Sequence, residues 1–111
     1  MVTWSVEYYV EENGKNPVKD FIQSLARKER AAVQHDLDVL AEFGLDAPFV
    51  RHMEGQLWEI KSGPARIFYV AHTGKRFVLL HGYYKKSRKA QRREVEVARG
   101  RLAAFLQAEK R

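Results

Sequence analysis

The pattern of residues 57–81 constrains the fold most strongly. Residues 66–71 form a nearly continuous apolar run, which is typical of a strand buried within a sheet. A His-Thr-Gly-Lys turn joins this run to a second apolar run at 77–81, as in a hairpin. A third strand-like segment, 57–61, precedes them and ends at a Ser-Gly-Pro turn. These segments predict three strands, with 66–71 in the centre.

The N-terminal half predicts one strand and two helices. Residues 2–10 are rich in aromatic and β-branched side chains and indicate a strand. Asn16 and Pro17 are typical of a helix start, because Asn caps free amides and Pro suits the first helical position. Apolar stripes at 18–25 and 33–41 follow, and their combined length favours a helical hairpin over one bent helix. Gly44 ends the second helix, and a loop begins at Asp46.

The last segment predicts an amphipathic helix. Val95, Ala98, Leu102 and Phe105 recur at helical spacing. The element order is therefore β-α-α-β-β-β-α, within one domain over 1–111. This order favours an α+β fold with an antiparallel-dominated sheet and helices on one face. The other face is expected to be open, or covered in part by a partner.

Composition excludes several classes of protein. The chain has no cysteine, which excludes disulfides, thiolate metal sites and a cysteine nucleophile. Its four histidines lack metal-ligand spacing, and no nucleotide-binding or nucleophile-elbow motif is present, so we expect no metal and no cofactor. The apolar runs are too short to span a bilayer, and the N-terminus does not resemble a signal peptide. These features predict a cytoplasmic protein without a membrane partner.

The positive charge is concentrated in one stretch. Residues 1–84 carry a net charge of −1, whereas 85–101 contain eight Lys or Arg against two Glu, a net of +6. Such a localised basic stretch is typical of a surface that binds polyanions, although a solvated helix face is the alternative. The residues predicted to contact RNA are Arg88, Lys89, Arg92 and Arg93.

Several single residues are candidates for chemistry. Arg66 begins the central strand and shares a face with Phe68; it either pairs with a carboxylate such as Glu59 or holds a phosphate. His81 ends the last strand and either transfers protons or is a satisfied structural histidine. Tyr83 and Tyr84 separate that strand from the basic stretch. Alternation allows one of them to close the core and the other to face RNA.

Four segments together resemble a known family. They begin with Asn-Gly-Lys-Asn-Pro-Val at 13–18, followed by Phe21 and Ile22. Arg-His-Met-Glu-Gly-Gln-Leu-Trp-Glu-Ile-Lys follows at 51–61, then Arg-Ile-Phe-Tyr at 66–69, and Leu-Leu-His-Gly-Tyr-Tyr-Lys-Lys-Ser at 79–87. In this order and spacing, over about 4–105, they resemble HigB-type toxins of the phage-derived Gp49-like family, within the RelE/ParE toxin superfamily.

The resemblance implies a RelE-like α+β fold and a toxin that cleaves mRNA, usually on the ribosome. It also implies a cognate helix-turn-helix antitoxin. Relatives cut RNA without a metal, through attack of the ribose 2′-OH on the adjacent phosphate. Arg66 matches the arginine that contacts the scissile phosphate, Lys61 a basic position before it, and Lys85 and Lys86 a lysine pair after the last strand. The resemblance leaves His81, Tyr84 or a lysine as the group that transfers protons.

Two other functions compete with the ribonuclease. A ParE-like toxin binds DNA gyrase and cleaves nothing, and the basic stretch suits RNA better than such an apolar protein interface. A non-catalytic nucleic-acid-binding module is the third alternative. It is favoured by the tail at 99–106, which lacks the late tyrosine or histidine of better-studied relatives.

Overall fold

The structure, a computed structural model, describes residues 4–110. It contains five strands, three α-helices and one short 3-10 helix. In chain order these are β1 (Ser5–Tyr8), α1 (Pro17–Ser24), α2 (Arg27–Phe43), the 3-10 helix (Gly44–Asp46), β2 (Val50–Glu54), β3 (Leu57–Ser62), β4 (Ala65–His72), β5 (Arg76–Tyr84) and α3 (Arg88–Glu109).

The N-terminal elements follow the predicted pattern, with a shorter first strand. The predicted strand over 2–10 is observed as β1 only, and residues 2 and 3 lie outside the described part. The Asn16 side chain caps α1 by accepting a 3.2 Å hydrogen bond from the Lys19 amide. Leu25 is extended between α1 and α2, which confirms the helical hairpin.

The sheet has the order β1-β5-β4-β3-β2. β1 is parallel to β5, and the other neighbouring pairs are antiparallel. The predicted element order lacks β2, because the sequence pattern from Asp46 to the third strand indicates a loop. β2 is an edge strand, and none of its five residues is fully buried, so it lacks the apolar pattern that reveals a buried strand.

Helices cover both faces of the sheet, so the prediction of one covered face is wrong. α1 and α2 pack on the face that carries Ile67 and Tyr69. α3 packs on the opposite face, against Phe68 and Val70. All four of these β4 side chains are at most 1% exposed. A continuous apolar run requires cover on both faces, and the last helix supplies the second layer.

α3 begins directly after the lysine pair. The Ser87 side chain caps it by accepting a 3.1 Å hydrogen bond from the Ala90 amide. Its buried contacts are made by Ala98 and Phe105, as the apolar spacing predicts, and the basic residues of its first turns lie mostly in solvent. Within residues 4–110, no helix combines the length and apolar character needed to cross a membrane.

Candidate phosphate-binding site

Three functional candidates lie side by side across the sheet. Arg66 of β4 is in register with Lys61 of β3 on one side and with Tyr83 of β5 on the other. All three belong to the face covered by α3, as does Phe68, two residues after Arg66. The sequence prediction that Arg66 and Phe68 share a face is therefore confirmed.

The Arg66 side chain is held at the β3–β4 turn. Its Nη1 donates to the carbonyl oxygens of Gly63 and Ala65. Its Nε is buried, and no partner for it occurs among residues 4–110. The guanidinium is thus fixed in direction, and its Nη2 keeps unused donors that suit binding of an anion, whereas the buried Nε is out of reach of one.

Glu59 is completely buried and pairs with Arg51, not with Arg66 as one interpretation of the sequence proposed. Its Oε1 accepts a 3.0 Å hydrogen bond from Arg51 Nε. Its Oε2 accepts from the Tyr83 hydroxyl at 2.8 Å and from Gln91 Nε2 at 3.1 Å. Three donors therefore satisfy the carboxylate and join β2, β5 and α3 around one side chain.

The Tyr83 hydroxyl serves this network as a neutral donor. Burial raises the pKa of Tyr83, and the hydrogen bond to Glu59 and the Glu59 charge raise it further. The nearby positive charge of Arg66 acts in the opposite direction on the same pKa. The Tyr83 ring also stacks on Phe68 with 5.4 Å between centroids. Tyr83 therefore closes the core, and Tyr84 is the exposed tyrosine of the pair, 38% exposed.

A cleft of about 410 Å³ opens above this network, between β2 and the first turns of α3. Four cationic side chains line it, and we call it the cationic cleft. Its lining residues are Arg51, Lys85, Arg88 and Arg92, together with Met53, Gln91 and Val95. The Lys85 backbone N–H donates a 2.9 Å hydrogen bond to the Pro64 carbonyl oxygen. This bond connects one edge of the cleft to the turn that holds Arg66.

The remaining predicted basic residues, Arg66 among them, do not line the cationic cleft. Lys86 borders a second cleft of about 290 Å³ with Tyr83, Tyr84, Ala90 and Glu94. Lys61, Lys89 and Arg93 are exposed and line neither cleft. The structure therefore gathers Lys85, Arg88 and Arg92 around one space and leaves the other predicted RNA-binding residues on the surrounding surface.

Both ring nitrogen atoms of His81 are engaged beneath α3. Nδ1 lies 2.7 Å from Arg101 Nη1, which can only donate, so Nδ1 accepts. Nε2 therefore carries the proton and donates to Glu94 Oε1 at 2.9 Å. Burial is the main cause that lowers the pKa of His81, the Arg101 charge adds to it, and the hydrogen bond to Glu94 opposes it. This geometry is that of a neutral, structural histidine.

The sequence interpretation missed Arg51 and Gln91 as site residues. Arg51 lies in the segment predicted as a loop, where no pairing partner is evident. Assignment of β2 as a strand would have revealed its partner, because Arg51 is directly in register with Glu59 of β3. Gln91 has no comparable signal, since its contact depends on how α3 packs on the sheet.

The described residues contain no group of three or more His, Asp or Glu side chains placed to hold a metal ion. No curated protein matches the sequence significantly. The family model described as phage-derived protein Gp49-like matches residues 20–103, which is most of the chain. That family is associated with toxins of toxin–antitoxin systems of the RelE type. The chain thus belongs to the phage-derived Gp49-like family, within the RelE/ParE-like toxin superfamily.

Proposed function

We propose that this protein is a HigB-type toxin that cleaves mRNA without a metal and so inhibits translation. The observation that carries the proposal is the cationic cleft, which four cationic side chains line. Four cations around one space suit a chain of phosphates better than a protein surface, and the backbone N–H of one of them, Lys85, is bonded to the turn that holds Arg66. Membership of a family of RelE-type toxins supports the same function.

The proposed reaction uses the RNA's own nucleophile. The ribose 2′-oxygen bonds to the adjacent phosphorus while its proton passes to a base. The bond from phosphorus to the 5′-oxygen then breaks, and that oxygen takes a proton from an acid. The products are a 2′,3′-cyclic phosphate and a 5′-hydroxyl. Arg66, Lys61 and Lys85 would stabilise the negative charge that accumulates on the phosphate oxygens in the transition state.

The geometry favours Tyr84 or a lysine over His81 for proton transfer. Both His81 nitrogen atoms already have partners, and only 13% of its side chain is exposed. The Tyr84 hydroxyl has no hydrogen-bond partner among residues 4–110, and Tyr84 lines the second cleft together with Lys86. We therefore assign His81 to the docking of α3 and propose Tyr84, with Lys86 beside it, as the proton-transfer group.

Arg88 and Arg92 are proposed to bind RNA phosphates within the cationic cleft. Lys89 and Arg93 lie on the exposed side of α3. We propose that they attract RNA without direct contact, over a distance of about 8 Å at physiological salt. The proposed partners are ribosome-bound mRNA in the cytoplasm and a cognate helix-turn-helix antitoxin. Pairing with an antitoxin is what the family suggests.

Induced expression tests this proposal. We expect the wild type to arrest growth, and primer extension on a reporter message to show new 5′ ends. Arg66→Ala should do neither while remaining folded. Arg27→Ala is a matched control, because Arg27 is exposed at the start of α2 on the opposite side of the sheet. Arrest without cleavage would indicate a gyrase-binding toxin instead. Absence of arrest would indicate a non-catalytic nucleic-acid-binding module.

A further inference from the structure

Arg51 is held by one edge of its guanidinium only. Its Nε donates to Glu59, and neither Nη atom has a hydrogen-bond partner among residues 4–110. Its side chain is 38% exposed and lines the cationic cleft. The remaining N–H groups of the planar guanidinium therefore stay available to an anion in the cleft.

Glu59 gives Arg51 a fixed direction. The carboxylate is fully buried, so no solvent molecule competes for its hydrogen bonds. Its second oxygen is held by Tyr83 from β5 and Gln91 from α3, which prevents rotation of the carboxylate toward another partner. An arginine bound to such an anchor loses little further freedom when it binds a ligand, and this favours affinity.

Arg51 and Arg66 lie at different places in the sheet. Arg51 on β2 faces Glu59, whereas Arg66 on β4 faces Lys61, two residues further along β3. Two strand spacings separate β2 from β4, about 10 Å. Arg66 is also tied to the turn at Gly63, away from Glu59. The two guanidinium groups are thus placed to hold different phosphates of one chain.

We propose that Arg51 binds a backbone phosphate of the RNA other than the scissile one and that Glu59 is the positioning residue for Arg51. This inference rests on the proposed function, since the ligand is single-stranded RNA. The positioning role predicts an unusual effect of removing the Glu59 charge on RNA binding. Removal of a carboxylate from beneath an anion site ordinarily strengthens anion binding, whereas here it weakens binding, because Arg51 loses its direction.

A double-mutant cycle tests the proposal. The probe is a short single-stranded RNA with 2′-O-methyl riboses, which cannot be cleaved through the 2′-oxygen, and its dissociation constant is measured at several salt concentrations. Arg51→Ala should weaken binding roughly tenfold and reduce the salt slope by about 0.7, the value for one neutralised phosphate on a single strand. Arg51→Lys should keep the salt slope and still lose most of the affinity that Arg51 contributes. Lysine has neither an Nε–H for Glu59 nor the planar pair of Nη groups for the phosphate.

Glu59→Gln should weaken binding several-fold when Arg51 is present and should not weaken it in the Arg51→Ala background. Equal strengthening in both backgrounds would overturn the positioning role. If Glu59→Gln does not fold, the NMR signal of the Arg51 Nε–H in the wild type decides the matter. We expect slow solvent exchange of this proton without RNA and a shift of the Arg51 Nη signals when RNA is added. Fast exchange, or unmoved Nη signals, would overturn the proposal.

The two proposals fail in different ways. If the wild type binds the RNA and cuts message, but Arg51→Ala behaves like Arg27→Ala, only the inference about Arg51 fails. If the wild type binds no RNA, the proposed function fails, and the role of Arg51 fails with it.

Discussion

The Tyr83 hydroxyl donates a 2.8 Å hydrogen bond to Glu59, although β4 lies between their strands. The bond spans β4 on the face where the Phe68 ring stacks on Tyr83. Because Gln91 of α3 donates to the same Glu59 oxygen, the bond also ties the sheet to the helix that carries the basic residues. Stability and the candidate site therefore depend on one buried carboxylate.

Tyr83→Phe should destabilise the protein without changing its fold. The substitution removes one of three donors to a buried charge and leaves the ring in place. Loss of such a hydrogen bond costs about 1–3 kcal/mol in the free energy of unfolding. Urea denaturation measures this value. Tyr84→Phe is the control, since the exposed Tyr84 hydroxyl has no hydrogen-bond partner in the described part of the chain, and its change should lie within about 0.5 kcal/mol. Equal effects of the two substitutions would contradict the buried network.

His81 should make stability fall as the pH drops below about 6.5. Burial lowers the pKa of His81 in the folded state, so the unfolded chain takes up a proton first. The contribution is complete above the ordinary histidine value of 6.5 and is lost between that pH and the lower pKa of the folded state. One such group contributes a slope of at most about 1.4 kcal/mol per pH unit.

His81→Gln should therefore flatten the dependence of unfolding free energy on pH between 7 and 5. His35→Gln is the control, because His35 is exposed on α2. An unchanged slope in His81→Gln would show that His81 does not stay neutral beneath α3.

Two glycine substitutions should have opposite effects on stability. A Cβ at Gly82 of β5 would fall on the Phe21 ring of α1, so Gly82→Ala forces this ring, or α1 with it, to move. Overpacking of this kind costs about 1–3 kcal/mol. A Cβ at Gly100 of α3 meets nothing within 4 Å, so Gly100→Ala should gain up to about 1 kcal/mol from helix propensity. Thermal denaturation compares the two, and a stable Gly82→Ala would refute the close packing of α1 on β5.

The two lysines of the pair should contribute unequally to RNA binding. Lys85 lines the cationic cleft, whereas Lys86 borders the second cleft. The double variant Lys85→Ala with Lys86→Ala should weaken binding and reduce the salt slope by about 0.7 for each phosphate that is no longer neutralised. Lys85→Ala alone should account for most of the affinity loss. Unchanged affinity and slope in the double variant, measured beside Arg27→Ala, would show that this pair does not bind phosphate.

Local pattern predicts most elements of this fold. The apolar runs of β3, β4 and β5 and the stripes of α1, α2 and α3 each appear in the sequence at the period of their structure. β2 has no such period, because an edge strand without a fully buried residue needs no apolar run. The apolar stripe of α3 does not indicate which face of the sheet the helix covers. The continuous apolar run of β4 does, because it requires a layer on each face.

The site is only partly predictable from the sequence, because some of its residues come together through strand register and helix packing. Lys85, Arg88 and Arg92 follow from the distribution of charge along the chain, since they lie close together in sequence. Arg51 joins them through the register of β2 with β3, and Gln91 through the packing of α3. His81 shows the converse: its residue type suggests chemistry, whereas its two partners on α3, Glu94 and Arg101, occupy its ring nitrogen atoms.

The chemistry of the cut ends tests the central claim most directly. Purified protein is added to a reconstituted translation reaction, and the 3′ ends of the upstream message fragments are identified. Attack by the ribose 2′-oxygen predicts 2′,3′-cyclic phosphate ends from the wild type and from Arg27→Ala, and none from Arg66→Ala. Intact message, or fragments that end in a 3′-hydroxyl, would contradict the account.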